Sequence, residues 1–324
     1  MNLPNKVRDK FPDQGTGQVW DIPEIPVTPI EDPLLDNRNI RLDVKRLDLI
    51  HPYISGNKWF KLKYNLQKAK AEAYSTILTF GGAYSNHIAA TAAAAKLIGF
   101  QSIGIIRGEE VIPHNPILRF AIEHGMALHF ISREEYRRKS DPEYPKALAE
   151  KFGRCYIVPE GGANYEGLLG CTEILSESDK SYDYICCACG TGTTLAGLVL
   201  AVKEEKPEFL GFSVLKGMDF QKEMDRYFEW MGRANKDHPN WEIIREYHFG
   251  GYAKKNADLE RFVEWFSKEK QIPAEPVYTG KLFYGIFDLI EKNYFPKGSS
   301  ILVMHTGGVF REGDLIENLN NPKD

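Results

Sequence analysis

Lys58, in the stretch Ser55-Gly56-Asn57-Lys58-Trp59-Phe60-Lys61-Leu62, stands at the mouth of a helix directly after a Gly-Asn turn. A second stretch, Gly81-Gly82-Ala83-Tyr84-Ser85-Asn86-His87, follows a short apolar strand and opens an alanine-rich helix. Its backbone N–H groups and small polar side chains therefore point past the strand end, as an anion site requires. A lysine that must lose a proton to react, set beside a cradle for a carboxylate, points to chemistry on an amino acid held as an imine.

Three further loops lie at the carboxyl ends of strands, where ligands bind in open α/β sheets. They are Gly190-Thr191-Gly192-Thr193-Thr194, the turn Tyr278-Thr279-Gly280-Lys281, and His305-Thr306-Gly307-Gly308. A Gly/Thr turn between a buried strand and a helix offers N–H donors and hydroxyls with little bulk, which suits a phosphate. A dinucleotide fingerprint fails because the third glycine is missing at its proper spacing, and the Walker pattern fails for want of Gly-Lys-Ser/Thr. One phosphate is expected, not a pyrophosphate. Cys186 and Cys189 have CxxC spacing, but no second Cys or His pair completes a zinc site, so no metal is expected.

These loops need a frame, and the sequence supplies one in which strands alternate with helices. Strands are expected at 40–47, 76–80, 102–106, 127–131, 155–158, 184–188, 209–215, 241–247 and 300–304. Helices are expected at 58–73, 85–98, 115–125, 165–175, 193–201 and 283–290, with the charged run 133–150 broken into two short ones by its prolines. Residues 1–39, with Pro23, Pro26, Pro29 and Pro33, read as an extended arm. The fold class is α/β: two domains, each a three-layer α/β/α arrangement with a mainly parallel sheet. The division places 1–62 and 165–324 in a larger domain and 63–164 in a smaller one inserted into it.

The 324 residues suffice for two domains with sizeable cores, and 41 basic against 45 acidic residues leave a net charge of −4. Nothing in that balance recruits nucleic acid or an anionic membrane. The N-terminus lacks the apolar run of a signal peptide, and no stretch approaches the roughly 20 apolar residues of a membrane span. Five cysteines, three of them in Cys186-Cys187-Ala188-Cys189, are no disulfide framework. A cytoplasmic location is expected.

Taken together, Lys58 in Gly-Asn-Lys-x-x-Lys-Leu, the Ser85-Asn86-His87 loop, the turn 190–197, Tyr278-Thr279-Gly280-Lys281 and His305-Thr306-Gly307-Gly308 resemble one family. It is the pyridoxal-phosphate-dependent family of 1-aminocyclopropane-1-carboxylate deaminases and D-cysteine desulfhydrases, of the tryptophan synthase β-like, fold type II group. The resemblance runs in register from about residue 25 to the C-terminus, and it rests on five motifs in order. It implies pyridoxal 5'-phosphate as cofactor, a small amino acid as substrate, and a homodimer.

Residue by residue, the resemblance implies that Lys58 bonds the cofactor aldehyde and moves protons, and that Lys61 contacts the phosphate. Asn86 matches the residue beside the pyridine hydroxyl, and Ser85, Asn86 and His87 line the substrate carboxylate pocket. Gly190, Thr191, Gly192, Thr193 and Thr194 match the phosphate loop, and Thr306 the group facing the pyridine nitrogen. An alcohol there leaves that nitrogen largely unprotonated and the ring a milder electron sink. Tyr278 matches an active-site tyrosine, and Tyr252 in Phe249-Gly250-Gly251-Tyr252 is the candidate for a second. Ring-opening deaminases carry Glu and Leu where this chain has Thr279 and Thr306, so D-cysteine desulfhydrase is the expected activity, with Ser85 and the tyrosines assisting Lys58.

Departures from the family pattern fall at Gly250-Gly251-Tyr252-Ala253, where Pro-Gly-Tyr-Gly is usual, at Ala83-Tyr84 and at Trp59-Phe60. Three other readings are open: ring opening of 1-aminocyclopropane-1-carboxylate, a non-catalytic pyridoxal-phosphate carrier, and an amino-acid-binding module without cofactor.

Overall fold

The computed structural model describes residues 20, 22–141, 143–203, 206–233 and 238–308. They fall into two compact units, one made of 61–167 and one made of 23–60 with 168–308.

The large unit begins with a short strand, β1 (Val27–Pro29), a helix, α1 (Pro33–Arg38), and strand β2 (Arg41–Lys45). The part of the N-terminal arm before residue 20 lies outside the described residues. In the rest, an unbroken extended arm is not what forms. Asp32 accepts the Leu34 N–H at 2.9 Å, Pro33 fits the first helical position, and α1 follows. Helix α2 (Asn57–Ala71) then carries the chain into the inserted unit, the boundary falling between Phe60 and Lys61.

The inserted unit runs β3 (Thr76–Gly82), α3 (Asn86–Leu97), β4 (Gln101–Arg107), α4 (Pro116–Glu123), β5 (Met126–Ile131), α5 (Arg133–Arg137), α6 (Tyr144–Phe152) and β6 (Tyr156–Val158). Its sheet has the order β5-β4-β3-β6 with every pair parallel. Because successive side chains leave opposite faces of a strand, Ile105 joins Leu78, Phe80, Tyr136 and Tyr144 on one face, while Ile106 joins Ile88, Ala92, Leu118 and Met126 on the other. Helices thus cover both faces of that sheet.

Helix α7 (Tyr165–Cys171) leads back into the large unit, which continues β7 (Tyr184–Cys189), α8 (Thr193–Leu200), β8 (Glu208–Ser213), α9 (Phe220–Trp230), β9 (Trp241–Ile244), α10 (Ala257–Glu269), α11 (Thr279–Glu291) and β10 (Ser300–Met304). Six strands take the order β1-β2-β10-β7-β8-β9, antiparallel between β1 and β2 and parallel elsewhere. The whole is an α/β fold with mainly parallel sheets.

Boundaries moved where the backbone turns. The strand expected over 241–247 stops at Ile244, because residues 246–248 tighten into a 3₁₀ turn and Phe249 adopts φ +52°. Helix α7 ends at Cys171 instead of 175. Helix α11 starts four residues earlier than the sequence pattern places it, so Tyr278 and Thr279 sit at a helix N-terminus and not in a loop. Helices α9 and α10 were not foreseen, although Asp219 and Asn256 cap them and each carries an apolar stripe, Phe220, Met224 and Phe228 in the first, Leu259 and Phe266 in the second.

Candidate active site

In the large unit the entry to α2 is welded to the end of β10. Gly56 has φ +68°, and a Cβ there would lie 1.9 Å from the Thr306 carbonyl oxygen. The Gly56 N–H donates to Leu47 O at 3.0 Å, and the Asn57 N–H to Thr306 O at 3.4 Å. Gly307 (φ +78°) is equally tight, since its Cβ would fall 2.5 Å from Ser55 Oγ. Only two glycines let these backbones approach so closely. They bring Lys58 and Thr306, one at a helix start and the other past a strand end, into one site.

A side-chain relay joins this corner to the turn after β7. Lys58 Nζ donates to Asn57 Oδ1 at 2.8 Å, and Asn57 Nδ2 donates to Thr194 Oγ1 at 2.7 Å. Thr194 lies in the first turn of α8, whose cap residue Gly192 has φ +81°. Early N–H groups of a helix have no partner within it and collect at its positive end, so α8 presents donors to an anion. The turn is fixed from α9: Thr193 Oγ1 donates to Tyr227 Oη at 3.1 Å, and Tyr227 Oη donates to Thr191 O at 2.9 Å. Burial pushes the Tyr227 pKa up, so it stays a phenol and keeps both bonds. Tyr227 went unread in the sequence; its place on the apolar stripe of α9 gives no sign that its hydroxyl is used elsewhere.

The third side of this cluster is the start of α11. Tyr278 packs on the turn, where a Cβ on Gly190 would meet its Cε1 at 3.4 Å. Its ring meets that of Tyr252 edge-on, with centroids 6.1 Å apart. Thr279 is fully buried and its Oγ1 is engaged by Glu275, accepting from the Glu275 N–H at 3.0 Å. His305, also fully buried, donates from Nε2 to Pro273 O at 2.6 Å and accepts the Gly307 N–H at Nδ1, 3.3 Å away.

The large unit therefore holds Lys58, Gly190, Thr191, Gly192, Thr193, Thr194, Tyr252, Tyr278, Thr279 and Thr306. The inserted unit holds Lys61, Ser85, Asn86 and His87. There, Gly81 leaves room for Ser85, since a Cβ would lie 2.9 Å from Ser85 Oγ and 2.5 Å from Ile88 Cγ1. Ser85 occupies the cap position of α3 with an extended backbone and makes no capping bond of its own. Asn115 caps α4 and also donates from Nδ2 to Ala83 O at 2.9 Å, which steadies the loop. His87 is buried, with Nε2 2.8 Å from Thr79 Oγ1. Because the Thr79 hydroxyl proton goes to Val158 O, His87 Nε2 is the donor in that bond. Lys61 Nζ donates to Gly161 O at 3.1 Å, and Gly162 packs on the Lys61 stem.

Among the described residues no cluster of three His, Cys, Asp or Glu side chains could hold a metal ion. The five cysteines are buried and unbridged, and burial pushes the Cys186 thiol well above its usual range.

The sequence profile of pyridoxal-phosphate dependent enzymes matches residues 23–307. The chain belongs to that family. Among its relatives is a Pyrococcus furiosus protein provisionally named 1-aminocyclopropane-1-carboxylate deaminase, 32% identical over 318 residues that cover 91% of this chain and 95% of the relative. Another is the mitochondrial bifunctional D-cysteine desulfhydrase/1-aminocyclopropane-1-carboxylate deaminase of Arabidopsis thaliana, 30% identical, covering 93% of this chain and 77% of the plant protein. The crystal structure of an ACC deaminase homologue superposes with a TM-score of 0.76 at 28% identity, over 91% of this chain and 94% of that one.

Membership in the pyridoxal-phosphate family gives the chain its cofactor, pyridoxal 5'-phosphate, and the large unit fits it. It offers a primary amine at Lys58, a hydroxyl-lined turn on a helix N-terminus of the kind a phosphate needs, and a glycine at 190 that leaves Tyr278 room to lie close. Tyr227→Phe removes both of its bonds to the turn and should weaken pyridoxal phosphate binding by about tenfold to a hundredfold, at about 1 kcal/mol for each bond. Binding of unphosphorylated pyridoxal should change far less, and fluorescence titration with both compounds checks this.

His305 carries a consequence for pH. Burial lowers its pKa below 6.5, against the partial opposition of Asp48, 3.4 Å from Nδ1. The folded protein therefore binds this proton less readily than the unfolded chain, and stability present above pH 6.5 is lost as pH falls through and below it. His51 and His124 shift in the same direction, again through burial. Melts of the cofactor-free protein should show Tm falling on acidification below about pH 6.5, more shallowly in His305→Gln.

Proposed function

We propose that this enzyme deaminates a small amino acid, with 1-aminocyclopropane-1-carboxylate as the first candidate substrate and α-ketobutyrate and ammonia as products. The likeness to the Pyrococcus furiosus protein over 91% of the chain carries the reading. D-Cysteine, giving pyruvate, ammonia and sulfide, is the second candidate. It is favoured by Thr279 and Thr306, where the family resemblance implies Glu and Leu for a ring-opening deaminase, and by the two activities in the plant relative's name. This order reverses the one expected from the sequence, because the relatives' names weigh toward the deaminase.

Pyridoxal phosphate, when bound, supplies an electron sink that lets a bond at Cα of an amino acid break. Lys58 would hold it through its amine and, once displaced by the substrate, carry a proton to or from carbon. The turn 190–194 would take the phosphate, and Thr306 would meet the pyridine nitrogen as an alcohol. Tyr278, beside Gly190, and Tyr252, against it, are proton carriers for the ring carbon or the departing sulfur. In the inserted unit, Ser85 and Asn86 at the start of α3 would bind the substrate carboxylate and Lys61 would serve as a phosphate contact, while His87, tied to Thr79, would orient the loop. A cytoplasmic homodimer is the expected form.

The purified protein, supplied with pyridoxal phosphate, should be given each amino acid in turn and assayed for α-ketobutyrate, pyruvate and sulfide. α-Ketobutyrate from 1-aminocyclopropane-1-carboxylate is the expected result. Pyruvate and sulfide from D-cysteine without α-ketobutyrate selects the second candidate. Cofactor binding with no product from either rejects both and favours the non-catalytic carrier.

A further inference from the structure

Two charged side chains outside the roles given above, Glu275 half-buried and Lys281 fully buried, hold the start of α11. The Glu275 carboxylate accepts from three successive backbone N–H groups: Val277 at 2.6 Å, Tyr278 at 2.9 Å and Thr279 at 2.8 Å. It also accepts from Thr279 Oγ1 at 3.2 Å. Tyr278, the cap residue of α11, makes no side-chain cap bond itself, so Glu275 supplies the negative charge and acceptors that the helix start needs. Gly280 N–H closes the turn on Glu275 O at 2.8 Å.

Lys281, two residues beyond Thr279, is fully buried and points the other way. Its Nζ donates to His248 O at 2.9 Å and to Gly251 O at 2.8 Å. That segment has three successive residues in the left-handed half of conformational space: Phe249 at φ +52°, Gly250 at +95° and Gly251 at +120°. Such backbone persists only where its surroundings fix it. The next residue is Tyr252, whose ring stands against Tyr278.

Burying an acid and a base costs stability that an apolar pair of similar size would not. The cost shows in both groups: burial raises Glu275 to about 7, although its hydrogen bonds oppose this, and lowers Lys281 to about 8. What the pair achieves is geometric. One charge fixes the backbone of Tyr278 from just ahead of α11, and the other, in the first turn of α11, fixes the backbone that leads into Tyr252.

We propose that Glu275 and Lys281 are positioning residues that set the relative placement of the Tyr278 and Tyr252 phenols beside the turn at Gly190. The catalytic use of those phenols rests on the function proposed above; their placement does not.

The test uses the full-length protein with pyridoxal phosphate bound and its tyrosines replaced by meta-fluorotyrosine. Tyr278→Phe and Tyr252→Phe identify the two fluorine resonances. In Glu275→Ala the Tyr278 resonance should shift, and in Lys281→Met the Tyr252 resonance should shift, with the visible absorbance of the bound cofactor retained. Turnover should fall about 100-fold in kcat, the loss typical of a misplaced catalytic group, while KM stays within about threefold. Glu275→Gln keeps one acceptor oxygen and should restore part of both signals; it is also the variant to read if Glu275→Ala does not fold. Lower melting temperatures with both resonances unmoved and kcat intact would reduce the pair to a helix cap and overturn the proposal. If the unsubstituted enzyme turns over no amino acid, the functional reading fails alone, and the fluorine shifts still decide this one.

Discussion

Lys58→Ala should yield a folded protein that takes up pyridoxal phosphate weakly, lacks the visible absorbance of a lysine-bound cofactor, and shows no turnover above background. Lys58 is half-buried in the first turn of α2, and alanine is the better helix former, so the fold should survive the change. What goes is the amine. It donates to Asn57, which donates in turn to Thr194 in the turn proposed to take the phosphate, so one relay joins the amine to that turn. A lysine amine tied through an amide side chain to that turn is placed to bond the aldehyde of a cofactor whose phosphate the turn would hold. Loss of at least about a thousandfold in kcat is expected, because nucleophile and proton carrier disappear together. Absorbance spectra with and without borohydride, followed by product assays, check both halves. Lys61→Ala is the comparison: it removes an ammonium proposed as a phosphate contact and not the amine that bonds the aldehyde, so the cofactor should bind less tightly yet show its visible absorbance once the protein is saturated. Retained turnover in Lys58→Ala would remove the assignment.

The frame of this molecule was readable because its buried parallel strands are short apolar runs, such as Tyr184-Ile185-Cys186-Cys187-Ala188, punctuated by glycine-rich turns. The loops at their carboxyl ends were readable for the same reason, since Gly192, Gly56 and Gly307 stand where the chain must bend or touch. Residues that act at long range left no such trace. Tyr227 on α9, Glu275 before α11 and Lys281 within it meet their partners only after folding, and each sits in a local pattern that reads as an ordinary helix or loop. Glu275 did leave a weak sign, an acid just ahead of Pro276 and a helix start. Helix α1 starts at an ordinary Asp32-Pro33 cap, but the four prolines between 23 and 33 make the stretch read as an extended arm. Thr279 shows the opposite failure: the residue from which the sequence argues for the desulfhydrase has its hydroxyl engaged by Glu275, and any influence it has on substrate must pass through that turn.

Gly56→Ala should be the most damaging single methyl in the site. The Cβ it adds would lie 1.9 Å from the Thr306 oxygen and 2.2 Å from the Thr306 carbonyl carbon, and both obstacles are backbone. Neither can swing aside as a side chain could. At φ +68° the residue also occupies the left-handed region, which costs an L-residue about 1–2 kcal/mol before any clash is counted. Overpacking adds about 1–3 kcal/mol more, and relief requires the 55–57 segment to separate from 306–307. A loss of about 2–5 kcal/mol, read as a lower denaturant midpoint with unchanged slope, is therefore expected. The chemical consequence should exceed the thermodynamic one. Separation moves the start of α2 away from the end of β10, and with it Lys58 from Thr306, so the visible absorbance of bound cofactor should weaken even in the fraction that remains folded. Gly217→Ala provides the comparison, since it too has a positive φ, +74°, but nothing stands within 4 Å of its added Cβ. It should show the backbone cost alone and leave the cofactor untouched. Equal losses in the two variants would mean that the weld between residues 55–57 and 306–307 does not hold the site together.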